Sequence, residues 1–417
     1  MKISKSLFLA FAGLGLFACS NEDVTTGVDN SGNNSIVIKL DGLTASRSVG
    51  DPVNDDNSDN KVATTLNDVA IVLSDGSTIY GVETLKNVAE EGQDKTNWTQ
   101  LTTSGSGYII HEVSSHVREV HVIGNYAENA ELKSWVETTQ TTPTSSNVSQ
   151  MKAKVVQANT QQDFTKVTLF GEDVALTTAG SDTAGDPNHD VEEGTTTHTM
   201  LQAEVNLKHL VSRIEIGNIQ CEDLGTMYKQ LTLKYIGLLN YYNQIHLDGT
   251  TPEVAMTLDN VLEPGTTIIG EDKYCWSDPD ISEAKYNDYK WAWDEIATGV
   301  VITDKGTPWN PTFNDGTGKF VYQFIPDKII DGKNFNVKLY LDAVENNDGG
   351  AVSAFHTVTA KFEGGSAISE EPGKIYKVDF KFGEENIGPW NPSEVICVKV
   401  TVSVEDWTIQ TVTPTFE

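Results

Sequence analysis

The sequence predicts an all-β protein made of two sandwiches in tandem, and three observations lead there. Short runs of alternating apolar and polar residues recur along the chain, the pattern of half-buried strands. Two stretches rich in Gly, Pro, Asp and Thr, 44–60 and 177–197, interrupt those runs as linkers do. A length of 417 residues suits two domains, each large enough to bury its own core.

Taken in order, the chain begins with Lys2 and Lys5 ahead of the apolar run Leu7 to Phe17. Eleven apolar or small residues are too few to span a bilayer, so the segment reads as a signal peptide. Leu16, Phe17, Ala18 and Cys19 resemble a lipobox, which ends the signal at residue 19 and makes Cys19 the lipidated residue. Ser20, Asn21, Glu22 and Asp23 resemble the acidic export signal that sends lipoproteins of Bacteroidetes to the cell surface. A polar tether then runs to Asn34, and Ile36, Ile38 and Leu40 fall on one face of a strand opposite Val37, Lys39 and Asp41. Residues 44–60 carry Arg47, Gly50, Pro52 and several aspartates and read as an exposed linker.

Further strands are expected at Val69 to Leu73, Tyr108 to Val113, Val117 to Ile123 and Lys166 to Phe170, with a helix near Ala127 to Thr138. The polar stretch 177–197 is the expected boundary, giving a first sandwich over 48–180 and a second over 199–390. The second contains strands at Ala203 to Ile216, Leu231 to Leu239, Phe320 to Ile325, Phe335 to Val344, Phe355 to Phe362 and Ile375 to Phe382. A terminal segment, 391–417, follows. In it Ile396, Val398, Val400, Val402 and Val404 share one face of a strand, Cys397, Lys399, Thr401, Ser403 and Glu405 the other, and the chain continues through Trp407 and Ile409. Such a tail fits either an edge of its own sheet or a groove on the next molecule, where strand addition supplies ladder hydrogen bonds and side-chain pockets together.

Composition narrows the function. The 29 basic and 60 acidic residues give a formal net charge of −31, which argues against nucleic acid and for a self-repelling exterior surface. Beyond Cys19 the cysteines are Cys221, Cys275 and Cys397, an odd number that describes no disulfide framework and leaves a Cys221–Cys275 bridge open. His111, Glu112 and His116 are one residue too widely spaced for the helical zinc pattern and lie in a strand-like region. Asp55, Asn57 and Asp59 open like a calcium loop, but Asn60 and Leu66 stand where its Gly and bidentate Glu belong. No nucleophile–base pattern is readable, so no catalytic, metal or cofactor site is expected. Trp276, Trp291 and Trp293, with Tyr274 and Tyr289, offer an alternative role as a sugar-stacking platform on a surface glycan-binding lipoprotein.

Six segments in this order resemble the fimbrillins, the lipoprotein-derived subunits of type V pili in Bacteroidales: the lipobox, VREVHVIGNY at 117–126, LKHLVSRIEIGNI at 207–219, VYQFIP at 321–326, GKIYKVDFKF at 373–382 and VKVTVSVEDWTIQTVTPTF at 398–416. The resemblance covers essentially the whole chain. It implies a transthyretin-like sandwich in each domain and an outer-membrane lipoprotein precursor that ends in a surface fimbrium supporting adhesion. It further implies that an Arg-specific protease removes the propeptide 20–47 with its first strand, and that the donor segment of another copy or a related subunit refills the groove, head to tail.

The sequence contains only three arginines, Arg47, Arg118 and Arg213. Arg118 and Arg213 fall in expected strands, whereas Arg47 lies in the linker where nicking concentrates, so one cut between Arg47 and Ser48 is expected. It would free Ile36, Ile38 and Leu40, whose burial is worth roughly 5–8 kcal/mol at about 1.5–3 kcal/mol each. The expected donor residues are Ile396, Val398, Val400, Val402, Val404, Trp407 and Ile409. The pairing of a cleavable first strand with an alternating tail favours a stalk subunit over a tip or anchor.

Overall fold

The computed structural model describes residues 34–41, 43–45, 63–88, 92–103, 107–182, 198–239, 241–242, 244–250, 268–269, 274–275, 290–309, 320–326, 329–330, 333–334, 336–346, 350–362, 371–389, 397–407 and 409–411. The signal peptide with Cys19, the tether before Asn34, Arg47, Ser48, the calcium-like aspartates and Ile396 lie outside them.

The first half contains β1 (Asn34–Asp41), β2 (Leu43–Ala45), β3 (Thr64–Leu66), β4 (Asp68–Ser74), β5 (Ile79–Lys86), β6 (Tyr108–Val113), β7 (Glu119–Gly124), β8 (Val155–Gln157), β9 (Leu169–Asp173), β10 (Thr177–Asp182), β11 (His198–Asn206) and β12 (Lys208–His209). Two sheets with orders β10-β11-β1-β6 and β12-β9-β7-β4-β5 form the first sandwich. All seven residues of β4 are buried, as its unbroken apolar run Val69 to Leu73 requires of a strand covered on both faces. Helices α1 (Gln93–Thr102) and α2 (Ala130–Thr141) bring Trp98, Leu101, Leu132, Trp135 and Val136 into the same core. The expected helix is α2, shifted by three residues. Its start is fixed by Asn129, whose side chain accepts hydrogen bonds from the Glu131 and Leu132 amides.

The second half contains β13 (Ser212–Asp223), β14 (Tyr228–Leu239), β15 (Gln244–His246), β16 (Ile268–Ile269), β17 (Tyr274–Cys275), β18 (Trp293–Ile302), β19 (Val321–Phe324), β20 (Ile329–Ile330), β21 (Lys333–Asn334), β22 (Asn336–Glu345), β23 (Val352–Lys361), β24 (Lys374–Gly383), β25 (Gly388–Pro389), β26 (Cys397–Lys399), β27 (Thr401–Asp406) and β28 (Ile409–Thr411). Sheets β19-β13-β24-β27 and β18-β14-β22-β23-β25, the latter with β26 also beside β23, close a second core around Tyr322, Phe324, Tyr340, Tyr376 and Phe380. The all-β, two-sandwich expectation describes the chain.

The boundary falls later than the polar stretch suggests. β10 and β11 flank residues 183–197 and pair with each other inside the first sandwich, and β12 joins its other sheet. The second sandwich therefore starts at Ser212, and the expected single strand Ala203 to Ile216 is divided between the two. The expected linker likewise begins within a strand, because Thr44 and Ala45 belong to β2.

The sandwiches are joined by more than the chain. β15 pairs with β8 of the first half. Gln162 donates from Nε2 to the Gln323 carbonyl at 2.8 Å and accepts the Gln323 amide at 3.1 Å. The Arg213 guanidinium, ion-paired to Glu215 at 2.7 Å, lies 4.2 Å from the Phe164 ring centroid.

Candidate functional site

β1 occupies an interior slot. It runs parallel to β11, with Ile36, Ile38 and Leu40 opposite Leu201, Ala203 and Val205, and antiparallel to β6, with Ile36 opposite Ile110 and Ile38 opposite Tyr108. The period-two reading holds: Ile36 and Ile38 are fully buried and Leu40 nearly so, while Val37 and Lys39 are half-buried and Asp41 is exposed. On the outer face Lys39 Nζ donates to Gln202 Oε1 at 3.0 Å. The fit is close at the start of β6, where a Cβ on Gly107 would collide with Val37 Cγ2. Taking β1 away would expose both an apolar trough and the unpaired backbone edges of β6 and β11. A cleft of about 390 Å³ opens at the Asn34 end of the slot, between Val117, Arg118, Val174, Leu176 and Leu201.

The terminal segment binds to this molecule piece by piece. β26 pairs parallel to β23, whereas β27 pairs antiparallel to β24 with Val402 opposite Val378 and Val404 opposite Tyr376. These partners belong to opposite sheets, so the chain crosses the sandwich at Val400, which is buried. The expectation of one continuous strand is thus corrected to two strands that keep a common alternation. Val402 packs against the second core and Thr401 is exposed. β27 is the outermost strand of its sheet, with Lys374 and Asp406 paired at 2.6 Å near its end.

Trp407 then enters the first core. Its amide donates to the Gly373 carbonyl at 2.8 Å, and Gly373 holds φ +81°, a turn that a side chain would strain. Its ring stacks on His209 with centroids 4.5 Å apart and planes 15° apart. His209 Nε2 lies 2.9 Å from Thr64 Oγ1, whose own proton goes to the Phe164 carbonyl at 3.0 Å. The imidazole must therefore carry its proton on Nε2 and donate it to Thr64. Burial pushes the His209 pKa down to about 3, so the ring is neutral across the physiological range. Beyond Trp407, β28 forms the centre of a three-stranded parallel sheet with β2 and β3.

Other sequence-derived candidates fall elsewhere. Arg213 is buried as expected, but Arg118 is exposed in the turn before β7 rather than paired within a strand. Its amide is nevertheless tied to the Ser74 carbonyl at 2.7 Å, and its Nη1 donates to the carbonyls of Ser115 and Val117. The expected shielding of Arg118 within a strand is therefore corrected: its backbone amide and guanidinium are tied locally, but the residue itself is exposed. His111 Nδ1 and Ser35 Oγ are 3.4 Å apart and His116 stacks on Tyr80, and among the described residues no group of three or more ionisable ligands could hold a metal. Trp291 packs edge-on against Tyr241 at 5.1 Å and reaches both cores from a turn that precedes β18, so Trp291 and Trp293 do not share a strand. Trp276 and Tyr289 lie outside the described residues. Cys221 is a buried free thiol, its pKa pushed up to about 11 by burial.

One arrangement was invisible in the sequence. Ser74 Oγ lies 3.1 Å from His121 Nε2, and His121 Nδ1 lies 2.9 Å from Glu172 Oε2, with Glu119 a further 3.3 Å contact. The groups come from β4, β7 and β9, and only the register of those strands brings them together. Ser74 and His121 are fully buried, so no substrate reaches the hydroxyl, and the relay ties three strands together. Burial holds His121 below its ordinary pKa, so the neutral ring accepts a hydrogen bond from the Ser74 hydroxyl at Nε2 and donates one from Nδ1 to Glu172.

No family model matches the chain, and no curated protein matches it. Among solved structures it is similar to a candidate cell adhesion protein of Bacteroides eggerthii DSM 20697, at 16% identity and TM-score 0.46, covering 91% of this chain and 98% of that one. It is similar to another of Parabacteroides distasonis ATCC 8503, at 13% and 0.48, covering 92% and 98%. A fimbrilin of Porphyromonas gingivalis W83 is similar at 10% and 0.43, covering 91% and 99%. At such identities the likeness concerns the course of the chain and transfers no activity.

Proposed function

We propose that the protein is a non-catalytic structural subunit of a cell-surface fimbria, made as an outer-membrane lipoprotein anchored through Cys19 and activated by cleavage between Arg47 and Ser48. Other copies of the chain or related subunits are its partners, and the tail of one fills the groove of the next. The observation that carries this reading is the position of β1: the strand nearest the start of the described chain is an interior strand of a sheet, and a linker with Arg47 follows it. An N-terminal strand whose removal would uncover such a trough is costly to expose, unless something of the same shape takes its place. The donor candidate has that shape, since its apolar face alternates over Ile396, Val398, Val400, Val402 and Val404. Its present pairings are short or at a sheet edge, as a segment that must leave requires. Of the five aromatics of the glycan-binding alternative, Trp291 packs against both cores and so is not offered to a ligand.

Replacing Arg47 with Ala tests the proposal. Lipidated, folded precursor that fails to polymerise is the expected result, and Arg47→Lys should behave likewise if the protease reads guanidinium geometry. Filaments of Arg47→Ala subunits that still begin at Cys19, identified by mass spectrometry, would refute it.

A further inference from the structure

We infer that β28 is a latch joining the two sides of the Arg47 linker, so that cleavage there and release of the subunit's own tail are one linked event. The inference rests on the maturation proposed above and adds to it a control on the donor. Ile409, Gln410 and Thr411 pair on one side with Leu43, Thr44 and Ala45 of β2 and on the other with Thr64, Thr65 and Leu66 of β3. Among the described residues, this tail strand is the only partner of β2. The two flanking strands come from opposite sides of the linker, and Arg47 follows Ala45 by two residues in sequence. The chain halves that the protease would separate are therefore joined through the tail as well as through the seat of β1 between β6 and β11.

The two flanks differ in what else holds them. β3 is fixed to the first sandwich: the Thr65 amide donates to the Thr165 carbonyl at 2.8 Å, and Asn125 Nδ2 donates to the Thr65 carbonyl at 2.9 Å. β2 follows β1 after a single residue, Gly42, and must leave with it. Once it has gone, β28 changes from a strand paired on both sides to an edge strand of three residues. Half of its backbone ladder is lost while the Trp407 stack remains, which loosens the tail from its far end. Linkage makes the effect reciprocal: whatever the tail contributes to holding β2 is a restraint that the linker loses when the tail is absent. A precursor thus keeps its tail at home until its own first strand is cut.

The test does not read polymerisation, so the latch and the donor role stand or fall separately. In a full-length chain carrying Thr44→Pro and Ala45→Pro, which removes at least one β2 donor to β28 whichever alternate residues face it, hydrogen exchange of peptides covering 409–411 should rise at least tenfold, with peptides in β13 and β24 unchanged. Separately, a chain ending at Trp407 should be cut at Arg47 by an Arg-specific protease several-fold faster than the full chain. Tail exchange that stays at its original rate in the proline variant would overturn the latch, as would equal cleavage rates in a tail-less chain that keeps its thermal transition.

Discussion

β1 and the terminal strands are both candidate parts of one exchange, yet they are held in opposite ways. β1 is eight residues long, has a neighbour on each side, and buries three consecutive inward side chains in one core. The tail is cut into strands of three, six and three residues, lies mostly at sheet margins, and sends Val400 into one core and Trp407 into the other. The first arrangement is cooperative, because no rung can open without uncovering the trough, and so removal calls for a covalent cut. The second can open in steps. It also means that a chain ending near Asn391 forfeits two buried side chains and should melt earlier than the full chain, which an expendable tail would not.

That contrast can be broken by charge. Ile38→Asp puts an unpaired carboxylate at the centre of the β1 slot and should cost about 4 kcal/mol or more, enough to abolish the cooperative transition of the precursor. Val402→Asp, on the margin, should cost only about 1–3 kcal/mol and leave a folded subunit that does not polymerise, while Thr401→Asp should be nearly silent in both respects. Denaturation midpoints and filament yields measure both effects, and equal losses at 401 and 402 would mean the strand is not one-faced.

Next in size is Trp407→Ala. Removal of a buried indole costs about 3–5 kcal/mol, and the low end is expected because its Nε1 finds no acceptor among the described residues. A urea midpoint near the wild-type value would show that the tail is not pinned in the first core.

A smaller effect comes from the partner of that ring. His209 has a folded pKa of about 3 against an ordinary value of 6.5, so between those values the unfolded chain binds a proton that the folded chain does not. The contribution is complete above pH 6.5 and is lost as pH falls towards 3, at up to about 1.4 kcal/mol per pH unit. His209→Gln, which can still donate to Thr64, should therefore narrow the stability gap between pH 7 and pH 5. Parallel pH profiles of variant and wild type would exclude this account. The smallest change is expected from Lys374→Ala at the exposed pair with Asp406, no more than about 1 kcal/mol and less in high salt.

Much of β1 was legible because Ile36, Ile38 and Leu40 alternate with Val37, Lys39 and Asp41 on the open face, and β4 was legible as an unbroken apolar run. The polar stretch 177–197 misled, since composition marks a loop without saying whether it joins two domains or two strands of one. The break at Val400 was hidden for a different reason: a chain that steps from one sheet of a sandwich to the other can keep its period of two. α1 was missed because little besides Trp98 and Leu101 faces inward. The Trp407–His209 stack and the Ser74–His121–Glu172 relay join residues far apart in sequence, and a single sequence holds no local trace of either.

The slot around β1 also has a mechanical meaning. A strand paired along both edges and drawn lengthwise loads all its rungs in shear at once, whereas an edge strand lifted from its end yields rung by rung. Any segment seated between β6 and β11 would thus resist tension along its axis far better than β27 resists peeling from β24, and a fibre joined through such slots would sooner stretch its subunits than part at their junctions.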